Sequence, residues 1–128
     1  MIRTVARRLH PWLAWLFVAA VLVQVFLAGL AIFGATDGFA WHIDFGYTVL
    51  GLITLGVLLA AVIGGLGRAA IGLSLLLLVL YVVQTALPQA RASMPALAAL
   101  HPVNAVFLFA LGVIIARRGP VARREGST

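Results

Sequence analysis

The sequence contains no cysteine and no lysine, and only 9% of its 128 residues are charged. An ordinary soluble domain carries about 25% charged residues, so a soluble globular protein is excluded. The lack of cysteine excludes disulfides, thiolate metal sites and c-type haem attachment, because each of these needs a thiol. Redox chemistry in this chain would therefore need a non-covalent cofactor.

Apolar residues fill the sequence instead, at 64% of the chain and a mean hydropathy of +1.17. The sequence contains four apolar runs, and the length of each is close to the roughly 20 residues that a helix needs to cross a hydrocarbon layer of about 30 Å. We predict an all-α, polytopic membrane protein over residues 1–118, an antiparallel bundle of four transmembrane helices with spans at about 12–33, 39–63, 69–87 and 100–116. Residues 119–128 are predicted to form a disordered cytoplasmic tail. The chain has no room beyond the spans for a water-soluble catalytic domain, so we do not expect an enzyme.

The first apolar run follows a basic start, as the core of a signal peptide would, but it is too long for one. We therefore expect this run to be retained as a span. Pro11 is predicted to begin the helix, where the missing N–H of proline is tolerated. His10 is predicted to lie at the interface near arginines, without a partner.

The charges lie almost entirely on one predicted side of the membrane. The formal net charge is +6, the pI is near 11.7 and all nine basic residues are arginines. Eight of them flank the predicted cytoplasmic ends of the spans, and only Arg91 lies on the other side. The positive-inside rule then predicts cytoplasmic N- and C-termini in a bacterial cytoplasmic membrane. The expected partners are the lipid bilayer and a membrane protein or a second copy of the chain, and not nucleic acid.

A pattern of glutamine and histidine occurs twice. Gln24 in the first span precedes His42 at the start of the second by 18 residues, and Gln84 in the third span precedes His101 at the start of the fourth by 17. This pattern predicts a two-helix unit that is repeated in parallel about an axis along the membrane normal.

The two histidines are predicted to face each other across the bundle from the second and fourth helices, at similar depth. Two neutral imidazoles in this arrangement can supply both axial ligands of a haem iron. Gly46 and Ala105 lie about one turn below them, where small residues would leave room for a porphyrin edge or would serve close helix packing. The histidines themselves also have a structural interpretation, in which they are solvated or cap a neighbouring carbonyl.

The other polar residues near the histidines have two interpretations each. Gln24 and Gln84 hydrogen-bond across the bundle or contact a cofactor edge. Arg91 pairs with Asp44 or meets a haem propionate.

Two stretches resemble the haem A synthase family: residues 23–29 (VQVFLAG) followed by Trp41-His42, and Val83-Gln84 followed by residues 100–102 (LHP). In that fold, helical hairpins present histidines to haem. The family has eight spans, so the chain is similar to one four-helix half. Haem A synthases have an acidic residue just before one histidine and a basic residue after it. In this chain, Trp41 and Ile43 stand before and after His42 instead. The resemblance therefore implies haem binding rather than haem hydroxylation. The chain is also similar to small uncharacterised four-span membrane proteins of bacteria.

Three functions remain open from the sequence. The first is a small integral membrane protein that binds haem b between helices two and four through His42 and His101, for electron transfer or haem handling. The second is a cofactor-free accessory or structural membrane protein. The third is a protein that binds a quinone or another small molecule in the same cavity.

Overall fold

The computed structural model describes residues 1–36 and 38–118, so the predicted tail at 119–128 lies outside the described residues. The described part contains no strand. It has four long helices, α1 (Ile2–Ile32), α2 (Ala40–Ile63), α3 (Arg68–Ala92) and α4 (Pro95–Arg117). Each is long and apolar enough to cross a membrane. This confirms the predicted all-α fold and the number of candidate spans.

Three of the long helices contain local irregularities. α2 has a π-helical turn at Gly46–Leu50 between two α-helical parts. α3 is α-helical to Ala86 and continues as a 3₁₀ helix over Leu87–Ala92, because Pro88 has no N–H to donate to the preceding turn. α4 is α-helical over Pro95–Ala98 and again over Leu100–Arg117.

The four helices pack as a ring. α1 packs against α2 and α4, and α3 packs against the same two helices. The centre of the bundle holds one large, fully or almost fully buried side chain from each helix: Phe17, Val57, Leu77 and Ile115. α2 and α4 therefore lie across the bundle from each other, which is the arrangement that brings their side chains to a common central site.

The start of α1 differs from the sequence prediction. The helix begins at Ile2 and Pro11 lies inside it, so the prediction that Pro11 begins the helix is wrong. Proline removes one helical hydrogen bond, but contacts with other parts of the bundle hold the residues before it. Arg7 Nε donates to the carbonyl of Gly64 at 2.6 Å, and Arg7 Nη2 donates to that of Gly65 at 3.3 Å.

Candidate functional site

The structure brings the imidazoles of His42 in α2 and His101 in α4 together. Their ring centroids are 6.2 Å apart and the ring planes are inclined by 65°. Both side chains are half-buried. Two side chains that are 59 positions apart in the sequence thus meet near one end of the bundle.

The same hydrogen bond orients each ring. His42 Nδ1 donates to the backbone carbonyl of Gln24 at 3.0 Å, and His101 Nδ1 donates to that of Gln84 at 2.9 Å. A carbonyl can only accept, so Nδ1 carries the hydrogen in both rings. In the neutral imidazole, Nε2 then keeps its lone pair. Both histidines therefore have the protonation pattern of a metal ligand that binds through Nε2.

The two glutamine side chains make different contacts. Gln24 Nε2 donates to the backbone carbonyl of His42 at 2.7 Å, and its Oε1 is buried without a hydrogen-bond partner among the described residues. Gln84 Nε2 donates to His101 Nε2 at 3.2 Å, while its Oε1 accepts from Asn104 Nδ2 at 2.8 Å. Asn104 follows His101 by three positions, and the matching position after His42 is Phe45. An apolar residue there cannot donate, so one half of the site has an unsatisfied acceptor.

The space beside Gly46 is filled by a protein side chain and is not an open cleft for haem. A Cβ at Gly46 would lie 2.7 Å from Gln24 Nε2, so the missing side chain makes room for the Gln24 amide. Ala105 is half-buried in α4. Arg91 lies exposed in the 3₁₀ part of α3, and Asp44 is exposed in α2.

The π-helical turn four residues after His42 was not predicted from the sequence. Tyr81 from α3 donates its hydroxyl hydrogen between the carbonyls of Gly46 and Tyr47, at 3.1 and 3.3 Å. A Cβ at Gly51 would lie 2.7 Å from that hydroxyl oxygen. The glycines at 46 and 51, which are the first residue of the turn and the residue directly after it, are the sequence signal that could have indicated a close approach by another helix.

His10 lies at the other end of the bundle and is buried. Its Nε2 is 3.0 Å from Ser74 Oγ in α3. The prediction that His10 has no partner is therefore wrong. α1 continues through Pro11 as a helix, so His10 faces α3 instead of the interface, and a partner 64 positions away leaves no local signal in the sequence.

Comparison with known proteins gives one family match. A family model described as a family of unknown function (DUF6220) matches residues 24–91, which is more than half of the chain. The match begins at Gln24 and includes His42 and Gln84, while His101 lies beyond it. No curated protein and no solved structure matches the chain.

Proposed function

We propose that this chain, which belongs to the DUF6220 family, holds one b-type haem between α2 and α4 through His42 and His101. The protein would serve electron transfer or haem handling and would not itself be an enzyme. We further propose an antiparallel bundle in the bacterial cytoplasmic membrane with both termini in the cytoplasm. Eight of the nine arginines flank one end of the predicted spans, which supports this orientation.

The separation of the two imidazoles carries the proposal. A bond from a metal to an imidazole nitrogen is about 2.0 Å long. Two rings on opposite sides of one iron therefore have centroids roughly 6 Å apart. The centroids of His42 and His101 are 6.2 Å apart. The two rings are thus spaced as a pair of axial ligands would be.

The surrounding hydrogen bonds support the same assignment. Backbone carbonyls fix both Nδ1 atoms, and such outer contacts orient metal-binding histidines and raise their basicity. The buried Oε1 of Gln24 has no partner among the residues described. A buried polar atom without a partner costs about 1–3 kcal/mol, so its presence beside His42 is consistent with a site that is completed by a ligand or by water.

Haem binding would require Gln84 and Gln24 to rearrange. The Gln84 amide donates to the lone pair of His101 Nε2, which is the pair that would bind iron, so this side chain must turn away. The Gln24 amide at Gly46 must also move for a macrocycle edge to pass. Haem would supply reversible one-electron transfer, while the chain holds it, orients the two rings and excludes water. Arg91 would meet a propionate and Ala105 would face the ring.

A cofactor-free structural protein is the second candidate, and the polar network favours it. The hydrogen bonds of Gln24 and Gln84 join α1 to α2 and α3 to α4, and Asn104 Nδ2 adds a bond to the carbonyl of Leu80 at 2.9 Å. Hydrogen bonds between membrane helices average about 0.6 kcal/mol each. In this case the histidines and glutamines would hold neighbouring helices together.

An absorption spectrum separates the two functions. The protein would be purified in detergent from cells supplied with haem, and spectra would be recorded oxidised and after dithionite reduction. We expect a sharp reduced α-band and one haem per chain. A featureless spectrum from protein whose circular dichroism is fully helical would overturn the haem proposal and support the structural protein.

A further inference from the structure

A cavity of about 390 Å³ lies at the opposite end of the bundle from His42 and His101. Leu66, Leu73 and Ile115 contribute apolar walls, and His10 and Arg118 contribute the polar lining side chains. The volume falls within the roughly 300–1,000 Å³ range of small-ligand sites. The cavity therefore combines space, a cation and a buried polar group at the basic end of the molecule.

The hydrogen bonds around His10 determine what its ring can bind. Ser74 Oγ donates its single hydrogen to the carbonyl of Ala70 at 2.9 Å, so it can only accept from His10. His10 Nε2 must therefore carry the hydrogen of their 3.0 Å contact. In the neutral ring Nδ1 is then an acceptor. His10 lines the cavity and is only 3% exposed, so a hydroxyl group that enters the cavity could donate to this acceptor.

The start of α3 lines the same cavity. The lining includes Gly67, Ala69 and Ala70, and α3 begins directly after Gly67 with no side-chain cap from the described residues. The first bonds of the turn are made by the N–H groups of Ala70 and Ile71 to the carbonyl of Gly67. The positive end of a helix attracts phosphate groups. The guanidinium of Arg118 adds a full positive charge beside this helix start.

We propose that this cavity binds the headgroup of an anionic phospholipid that carries a hydroxyl, as phosphatidylglycerol does. The phosphate binds Arg118 and the first turn of α3, and a headgroup hydroxyl donates to Nδ1 of His10. Basic pockets between membrane helices bind anionic headgroups in this way. The site is separate from the two-histidine site and does not depend on whether haem binds.

Lipid binding to the detergent-purified full chain tests the proposal, with native mass spectrometry as the readout. Three lipids with the same acyl chains would be titrated: phosphatidylglycerol, phosphatidylethanol, which is anionic but has no hydroxyl, and zwitterionic phosphatidylcholine. We expect phosphatidylglycerol to bind most tightly and phosphatidylcholine most weakly. Because this series uses the native sequence, its outcome does not depend on whether a variant folds. Equal binding of phosphatidylglycerol and phosphatidylcholine would overturn the proposal.

Two arginine variants locate the site. Arg118→Gln should weaken phosphatidylglycerol binding about five-fold, as expected for one basic residue at a lipid surface. Arg117→Gln is the matched control, because Arg117 is its exposed neighbour outside the cavity lining, and it should change binding less than two-fold. Equal losses would indicate attraction to the basic surface as a whole and would refute a site in the cavity.

A variant and a competitor test the remaining parts of the assignment. His10→Phe should remove the preference for phosphatidylglycerol over phosphatidylethanol and leave the charge preference in place. Glycerol 3-phosphate at millimolar concentration should not displace the lipid. If it displaces phosphatidylglycerol completely, the ligand is a soluble phosphate ester and the lipid assignment is wrong.

Discussion

At the scale of single residues, the separation of His42 and His101 is the feature with the most direct test. Their Nε2 atoms are the proposed iron ligands, so His42→Gly and His101→Gly should each abolish or strongly reduce the reduced α-band. Imidazole added to the purified variants should restore it, because it fills the space that the side chain leaves. The readout is the absorption spectrum.

His10→Ala serves as the histidine control for this experiment. His10 lies at the opposite end of the bundle from His42 and His101 and hydrogen-bonds to Ser74. Haem content per folded chain should therefore not change in His10→Ala. Loss of haem in this variant, with retention in the His42 and His101 variants, would contradict the ligand assignment.

The buried contact between His10 and Ser74 gives a prediction for stability. Ser74→Ala leaves the Nε2 hydrogen of His10 without its acceptor in a fully buried position. We expect the free energy of unfolding to fall by about 1 kcal/mol, within the range measured for polar contacts between membrane helices. Titration with sodium dodecyl sulfate in mixed micelles would measure it. Ser93→Ala, at an exposed position, should leave unfolding unchanged, and an equal effect at both serines would contradict the prediction.

At the scale of the secondary-structure elements, the sequence was most informative about length and least informative about helix irregularities. Apolar runs predict four long helices because only such runs match the width of a bilayer. The π-helical turn in α2 follows from a contact with Tyr81 of α3, and such a contact leaves no local pattern.

The close approach of Tyr81 to the π turn can be tested with a double-mutant cycle. Gly51→Ala places a methyl group where the Tyr81 hydroxyl lies, and it should reduce the free energy of unfolding by about 1–3 kcal/mol, as overpacking does. Tyr81→Phe removes that hydroxyl, so Gly51→Ala should cost much less in the Phe background. The unfolding titration in mixed micelles measures both effects.

Gly72→Ala in α3 is the matched glycine control for this cycle. Apart from the neighbouring residues and backbone of its own helix, no described atom lies within 4 Å of a Cβ at Gly72, so the substitution should not reduce stability. Strictly additive costs for Gly51→Ala and Tyr81→Phe would show that the hydroxyl does not limit the space at Gly51.

At the scale of the whole molecule, the repeated glutamine and histidine positions predicted that His42 and His101 face each other across the bundle. Both histidines meet in the structure because α2 and α4 carry them to the same end of the bundle. The difference between the two halves could not be predicted from the repeated positions, since it depends on the third residue after each histidine, which is the amide Asn104 in one half and the apolar Phe45 in the other. Orientation in the membrane remains a prediction from the arginines.

Because the native chain has no cysteine, single-cysteine variants can test the orientation directly. Ser93→Cys lies in the connection between α3 and α4, and Thr4→Cys lies near the start of α1, both at exposed positions. In intact spheroplasts, a membrane-impermeant maleimide should label Ser93→Cys alone. Lysis should expose Thr4→Cys to the reagent. The reverse pattern would invert the proposed topology, and labelling of both before lysis would contradict a spanning arrangement.

The hydrogen bonds from Arg7 to the carbonyls of Gly64 and Gly65 set an order of events during synthesis. Arg7 and Gly64 are 57 positions apart. The start of α1 therefore cannot form these hydrogen bonds until α2 has been synthesised and packs against α1. At about 5–20 residues per second of translation, this delay lasts roughly 3–11 s after Arg7 is polymerised. During that interval α1 lacks both of these hydrogen bonds, and the segment from Arg7 to Gly65 is the shortest part of the chain that can form them.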